Sequence, residues 1–279
     1  MRTLAVFSAL VVVVVIGVLL VWLVQVSATG PVPRHRLWAF AVRQELTITP
    51  DNGDLVIRYL ATTRRWRTAG LMTGVACAAL WALRDGEVRF DALSAFAGWF
   101  VGAVVAEWRV ATAGRPDRPS ARLAPRLLRD HVGPVGRWSP VTGLAVAAAL
   151  GAWALADAAA GGDADVPRVL GLLVLAVAAL AVPAVVGRHV LERRQPADLA
   201  PDVLAADDAV RRRSLHVLAG SALALVAWPS ATLVQQVPAP DTAAFVLVAT
   251  VVVGSVVGGW LIARTPYRLQ PHPDRAPVA

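Results

Sequence analysis

Seven long apolar stretches constrain this chain more than any motif in it. They run over 4–26, 69–83, 92–108, 141–160, 169–187, 215–234 and 243–263. A helix needs about 20 mainly apolar residues to cross a bilayer. Only 16% of the 279 residues are charged, 57% are hydrophobic, and the mean hydropathy is +0.58. A soluble fold of this size could not bury that much apolar surface. The expected fold is an all-α integral membrane protein, a seven-transmembrane-helix bundle.

Two stretches need comment. The first is longer than the ~7–15 residues of a signal-peptide core. The seven arginines that follow it would have to be exported if it were cleaved, so we read 1–26 as an N-terminal anchor helix. The second is short, but Arg67 and Arg84 frame it, and their long stems can snorkel to the interface.

Arginine placement sets the orientation. All 27 basic residues are arginine, and 23 of them fall on alternate connections: 27–68, 109–140, 188–214 and the tail after 263. By the positive-inside rule the N-terminus is outside and the C-terminus cytoplasmic. The outer connections are short and carry Asp85, Glu87, Asp91, Asp157, Asp163, Asp165 and Asp241. Arginine without lysine, beside abundant Ala, Val, Gly and Pro, suggests a GC-rich bacterial genome and a plasma (inner) membrane. The domain reading is an anchor (1–26), a cytoplasmic segment (27–68), a six-helix bundle of three hairpins (69–264) and a disordered cytoplasmic tail (265–279).

The composition excludes several chemistries. A chain without lysine forms no Schiff base with retinal or pyridoxal phosphate and no P-loop phosphate contact through lysine. One cysteine, Cys77, permits no internal disulfide and no Cys-based zinc site. No HExxH motif occurs, and no ionisable residue sits in the middle of a span, where proton-coupled carriers ordinarily keep one. No cofactor and no metal are expected. No nucleic-acid partner is expected, because the arginines are divided among loops at a membrane and lack aromatic platforms.

Local patterns on the cytoplasmic side suggest order. In Glu45–Tyr59, Leu46 and Ile48 alternate with Thr47 and Thr49 ahead of the turn residues Pro50, Asp51, Asn52 and Gly53. This predicts a small β-hairpin. Over Ser120–His131, Arg122, Arg126 and Arg129 share one helical face and Leu123, Leu127 and Leu128 another. This predicts a basic amphipathic helix contacting anionic lipid; the alternative is a topogenic loop of no fixed structure. Asp207 with Arg211 and Asp208 with Arg212 are spaced as i,i+4 helix pairs, with Asp202 as a candidate cap.

Glycine pairs mark expected helix contacts: Gly98 with Gly102 and Gly254 with Gly258. Gly70–Gly74 and Ser255–Gly259 repeat the spacing. Small residues four apart let helix backbones approach closely in lipid. Arg67 with Trp81, Arg137 with Trp153 and Arg213 with Trp228 form a faint repeat, which the positive-inside rule and the aromatic belt account for without duplication.

The functional expectation is a non-enzymatic accessory or scaffold protein whose partners are the bilayer itself and a cytoplasmic or membrane protein. It would dock that protein, or anionic lipid, on its cytoplasmic face. The alternative is an uncoupled small-molecule or lipid transporter using a cavity at the Pro183 and Pro229 kinks. A third reading is an interfacial lipid-modifying enzyme built on Glu107, His131 and His189.

Overall fold

The computed structural model describes residues 30–85, 92–113, 127–193, 195, 200–238 and 240–264. Seven α-helices account for most of them: α1 (Arg34–Gln44), α2 (Pro50–Asp85), α3 (Ala92–Thr112), α4 (Pro134–Ala159), α5 (Val166–Glu192), α6 (Pro201–Val234) and α7 (Asp241–Arg264). Five of these, α3 to α7, are long and apolar enough to cross a membrane. The stretch 4–26 and the tail 265–279 lie outside the described residues. The stretch 69–83 forms the second half of α2, a 36-residue helix whose first half is polar.

The hairpin expected over Glu45–Tyr59 does not form, and no strand occurs among the described residues. Thr49-Pro50-Asp51-Asn52 is a helix start instead of a turn. The Thr49 hydroxyl accepts from the Asn52 amide at 3.3 Å, and the Asn52 side chain accepts from the Thr49 amide at 2.9 Å. This reciprocal capping satisfies two amides that a helix start leaves orphaned, and Pro50 supplies the φ a first turn needs. Leu46 and Ile48 still find a core. They pack with Phe40, Val56, Tyr59, Ala209 and Val210, which joins α1 and the first half of α2 to α6.

The amphipathic helix expected over Ser120–His131 is also revised where it can be seen. Arg122 and Arg126 lie outside the described residues. Leu127 is extended, and only a single 3-10 turn, Leu128–Asp130, follows it. Gly133 then begins α4, with Pro134 in its first turn. Arg129 is exposed and lies beside Asp130.

Helix α6 is the axis of the bundle. In its most apolar stretch 78% of residues are buried, against 11–39% in the other four long helices. It touches α2, α3, α4, α5 and α7. Its sequence explains this, because Ser214, Gly220, Ser221, Ala222, Ala224, Ala227 and Ala231 are all small and buried, so neighbours can close on every side. Asp202 does not cap it; Ala200 holds the N-cap position, and Asp202 accepts a hydrogen bond from the Thr49 hydroxyl of the neighbouring helix start.

Two crossings hold the bundle. A Cβ at Gly70 would collide with the Gly98 carbonyl, one at Gly74 with Ser94, and one at Gly102 with Trp66, so α2 and α3 meet backbone to backbone. Helices α6 and α7 cross at Gly220 and Gly259, where either Cβ would strike the other glycine's carbonyl. Gly254 faces open space, and Gly258 would make only ordinary contact with Leu223. In α7 the close-packing glycine is therefore Gly259 of the Ser255–Gly259 pair.

The two ends of the bundle differ. At one end, Ala147, Leu150, Ala154, Val169, Leu172, Leu233 and Val234 form an apolar core below the α4–α5 turn, where Gly161 takes a positive φ of 91°. At the other end gather arginines from α1, α2, α3, α5, α6 and α7.

Candidate functional site

A cavity of about 840 Å³ opens at the arginine-rich end, between α1, α2, α3, α6 and α7. Helical periodicity aims its lining. Arg36, Phe40 and Arg43 share one face of α1, Arg64, Arg67 and Leu71 one face of α2, and Arg213, Val217 and Ser221 one face of α6. Arg264 ends α7, with its guanidinium 4.6 Å from the centre of the Trp260 ring. His35 completes the basic wall. Six arginines thus line this cavity, and no Asp or Glu does.

The charges are close enough to act on one another. Burial first and Arg264 second lower the pKa of Arg43. Burial, Arg36 and Arg65 do the same to Arg64. Burial lowers the pKa of Arg213, Arg67 and Arg43 add to this, and Tyr59 and Glu107 oppose it. No described carboxylate stands within ion-pair distance of Arg36, Arg43, Arg213 or Arg264. Arg64 donates to the carbonyls of Gly30 and Pro31.

Behind the wall lies one buried acid. Glu107 is 0% exposed, accepts from the Tyr59 hydroxyl at 3.1 Å, and stands 4.0 Å from Arg67. The Ser214 hydroxyl adjoins it, yet Oε2 completes no hydrogen bond among the described residues. Burial, then Glu107, raises the pKa of the Tyr59 hydroxyl, so it stays a donor. The floor toward α3 is apolar, with Leu71, Met72, Trp99, Phe100 and Ala103. Buried Gln44 Oε1, Arg64 Nε, Arg67 Nε and Ser221 Oγ, all on residues lining the cavity, have no hydrogen-bond partner among the described residues.

Glu107, His131 and His189 are not brought together. Glu107 pairs within the bundle as described. His189 is exposed and meets the edge of Trp108, with ring centres 5.0 Å apart. The His131 carbonyl accepts from His216, and neither His131 nor His189 is among the groups acting on Glu107. No cluster among the described residues could hold a metal ion. Asp202 accepts from Thr49, Asp207 meets Arg193 and Arg211, and Gln195 bridges Asp207 and Asp208. Of the expected i,i+4 pairs, Asp207 with Arg211 forms at 3.1 Å, while Asp208 accepts from Gln195 at 3.2 Å.

The sequence reading missed the cavity. It counted Arg36, Arg43, Arg64 and Arg264 only as topology signals. The spacing of Arg36 with Arg43, and of Arg64 with Arg67, was the available clue to shared faces. No protein-family model, curated protein or solved structure shows significant similarity to this chain.

Proposed function

We propose that this protein is a membrane-embedded accessory protein without catalysis of its own, and that its arginine-lined cavity binds an anionic amphiphile. The observation that carries this is one cavity with six arginines in its wall, no carboxylate among them, and an apolar floor. Guanidinium groups suit phosphate oxygens, to which they can donate two parallel hydrogen bonds. An apolar floor beside them suits an acyl chain. Basic pockets between membrane helices are a recognised way of holding acidic headgroups.

In this reading the chain spans the plasma membrane seven times with the N-terminus outside, so the cavity opens at the cytoplasmic leaflet. The arginine distribution supports that orientation. The same end would present the packed α1 and the start of α2 to a protein partner. In a Cys77→Ala background, Gly161→Cys and Thr242→Cys should react with an impermeant thiol reagent in intact cells, and Arg65→Cys should not. Labelling of position 65 alone would reverse the orientation.

The binding test uses the purified full chain in mild detergent. Phosphatidylglycerol should co-purify and raise the melting temperature, and phosphatidylcholine should do neither. Arg43→Gln with Arg213→Gln should remove the difference. Equal effects of the two lipids would overturn the proposal.

A further inference from the structure

One arginine of the cavity wall already has a carboxylate at its back. Arg67 lines the cavity with a side chain 19% exposed, and its guanidinium stands 4.0 Å from Glu107. Glu107 is 0% exposed and does not line the cavity. An anion entering the cavity therefore meets Arg67 but not Glu107. The other supports of Glu107 are few. Tyr59 donates to its Oε1 at 3.1 Å, and Oε2 completes no hydrogen bond among the described residues. From α6, Arg213 and the Ser214 hydroxyl also act on it.

A buried carboxylate and an anionic headgroup thus share one guanidinium from opposite sides. An ionised carboxylate in an apolar interior is costly unless it is paired. A phosphate that settles against Arg67 from the cavity adds a second negative charge beside that pair. Two like charges flanking one cation favour neutralising one of them with a proton. A phosphodiester is strongly acidic and stays ionised, so the proton goes to Glu107.

Resting on the reading of the cavity as an anionic-amphiphile site, we infer that Glu107 is a positioning residue that couples binding of the anionic headgroup to uptake of one proton. Protonated Glu107 leaves Arg67 to the phosphate, and ionised Glu107 holds Arg67 back. The proton comes from solvent and converts the carboxylate to the carboxylic acid. Tyr59, which donates to Glu107, lines a second cavity of about 540 Å³ with Arg58, Thr62 and Arg109. Its hydroxyl passes its own proton to Oε1 and takes another from water there, so the proton need not cross the lipid site. By linkage the effect is reciprocal: the lipid favours the proton, and the proton favours the lipid.

The test titrates the full chain in mild detergent with short-chain phosphatidylglycerol, by calorimetry at fixed ionic strength. Affinity should rise on the order of tenfold from about pH 8 to about pH 5.5, an ordinary strength of coupling between two sites. Buffers of different ionisation enthalpy should reveal net uptake of up to about one proton per lipid bound. Glu107→Gln keeps an acceptor for Tyr59 and cannot ionise. It should bind at the parent's low-pH affinity at both pH values and take up no proton. A merely structural Glu107 would give weaker binding at both, with the pH slope retained, and that result would overturn the coupling. His35 lines the same cavity, and histidine ordinarily titrates in this range, so His35→Gln is the control and should keep the slope. Should Glu107→Gln fail to fold, proton uptake by His35→Gln decides the matter. A slope lost in His35→Gln, or a parent affinity flat with pH and without proton uptake, would overturn the coupling and leave the anionic-lipid reading standing. Phosphatidylcholine binding as tightly as phosphatidylglycerol would remove both.

Discussion

Two groups of arginines share one end of this bundle, and the fold treats them oppositely. Arg211, fully buried on α6, donates to the carbonyls of Val190, Leu191 and Arg193, at 3.2, 3.0 and 3.2 Å, and to Asp207 at 3.1 Å. Arg193 also reaches Asp207, and Gln195 donates to it at 2.7 Å. Here a guanidinium satisfies the carbonyls that the end of α5 leaves open, and the Asp207 carboxylate lies between Arg211 and Arg193. Two residues further along α6, Arg213 lines the cavity with Arg43, Arg67 and Arg264, and buried Tyr59 and Glu107 act on it from behind. The first group is a strut, with a carboxylate between its two guanidiniums and three main-chain carbonyls on Arg211. The second is a concentration of one sign against an apolar floor, which is the arrangement of a binding surface. The residue type is the same in both, so the difference lies in the partners.

The largest expected effect comes from breaking the strut. Arg211→Leu leaves Asp207 short of a partner and three carbonyls open. It should cost about 3–5 kcal/mol of stability, read from unfolding in detergent, while any folded fraction keeps its lipid preference. A change as small as that of Arg213→Gln would erase the distinction between the two groups. Next in size is the frame that holds the cavity walls. Gly102→Leu and Gly259→Leu must push a side chain into a neighbouring backbone and should each lose at least the ~1–3 kcal/mol typical of overpacking. Gly254→Leu, on an open face, should unfold like the parent protein.

Smaller, and opposite in kind, is Arg213→Gln. It should weaken anionic-lipid binding about tenfold and cost far less stability than Arg211→Leu, because it relieves repulsion from Arg67 and Arg43 while removing attraction to Glu107. Salt sharpens the same contrast. Raising ionic strength from 0.15 to 1 M shortens screening from ~8 to ~3 Å, so lipid affinity should drop while the penalty of Arg211→Leu persists. The smallest effect is a pH dependence. Burial, then Arg211, lowers the pKa of His131, with Arg212 also opposing its charge and Asp208 and Asp130 favouring it. A folded pKa below the unfolded ~6.5 means full stability above that value and a loss as pH falls through it. Between pH 7.5 and 5.5 the parent should lose slightly more melting temperature than His131→Asn.

Much of the fold was legible because its causes are local. A run of apolar residues implies a membrane helix wherever it occurs, and the stretches beginning at 92, 169, 215 and 243 lie within observed helices, with that beginning at 141 ending one residue past its helix. Glycines four apart mark one helix face, and Gly98 and Gly102 do lie at a crossing. The misread segment failed for a local reason too. Thr49-Pro50-Asp51-Asn52 serves both turns and helix starts, and only the reciprocal bonds of Thr49 and Asn52 distinguish them.

The sequence by itself determined that five of the described helices would be long and apolar, and that most arginines would collect in alternate connections. Length, hydropathy and charge are properties of neighbours along the chain. Only the tertiary structure decided that α6 is the axis, that Gly259 rather than Gly254 makes the crossing, and which arginines are matched. Glu107 meets Tyr59 across 48 residues, and Asn52 reaches the Asp202 carbonyl across 150. Whether an arginine is a strut or part of a binding wall depends on such distant partners, because a guanidinium's role is set by the oxygens that surround it in space, and no spacing along the chain records them.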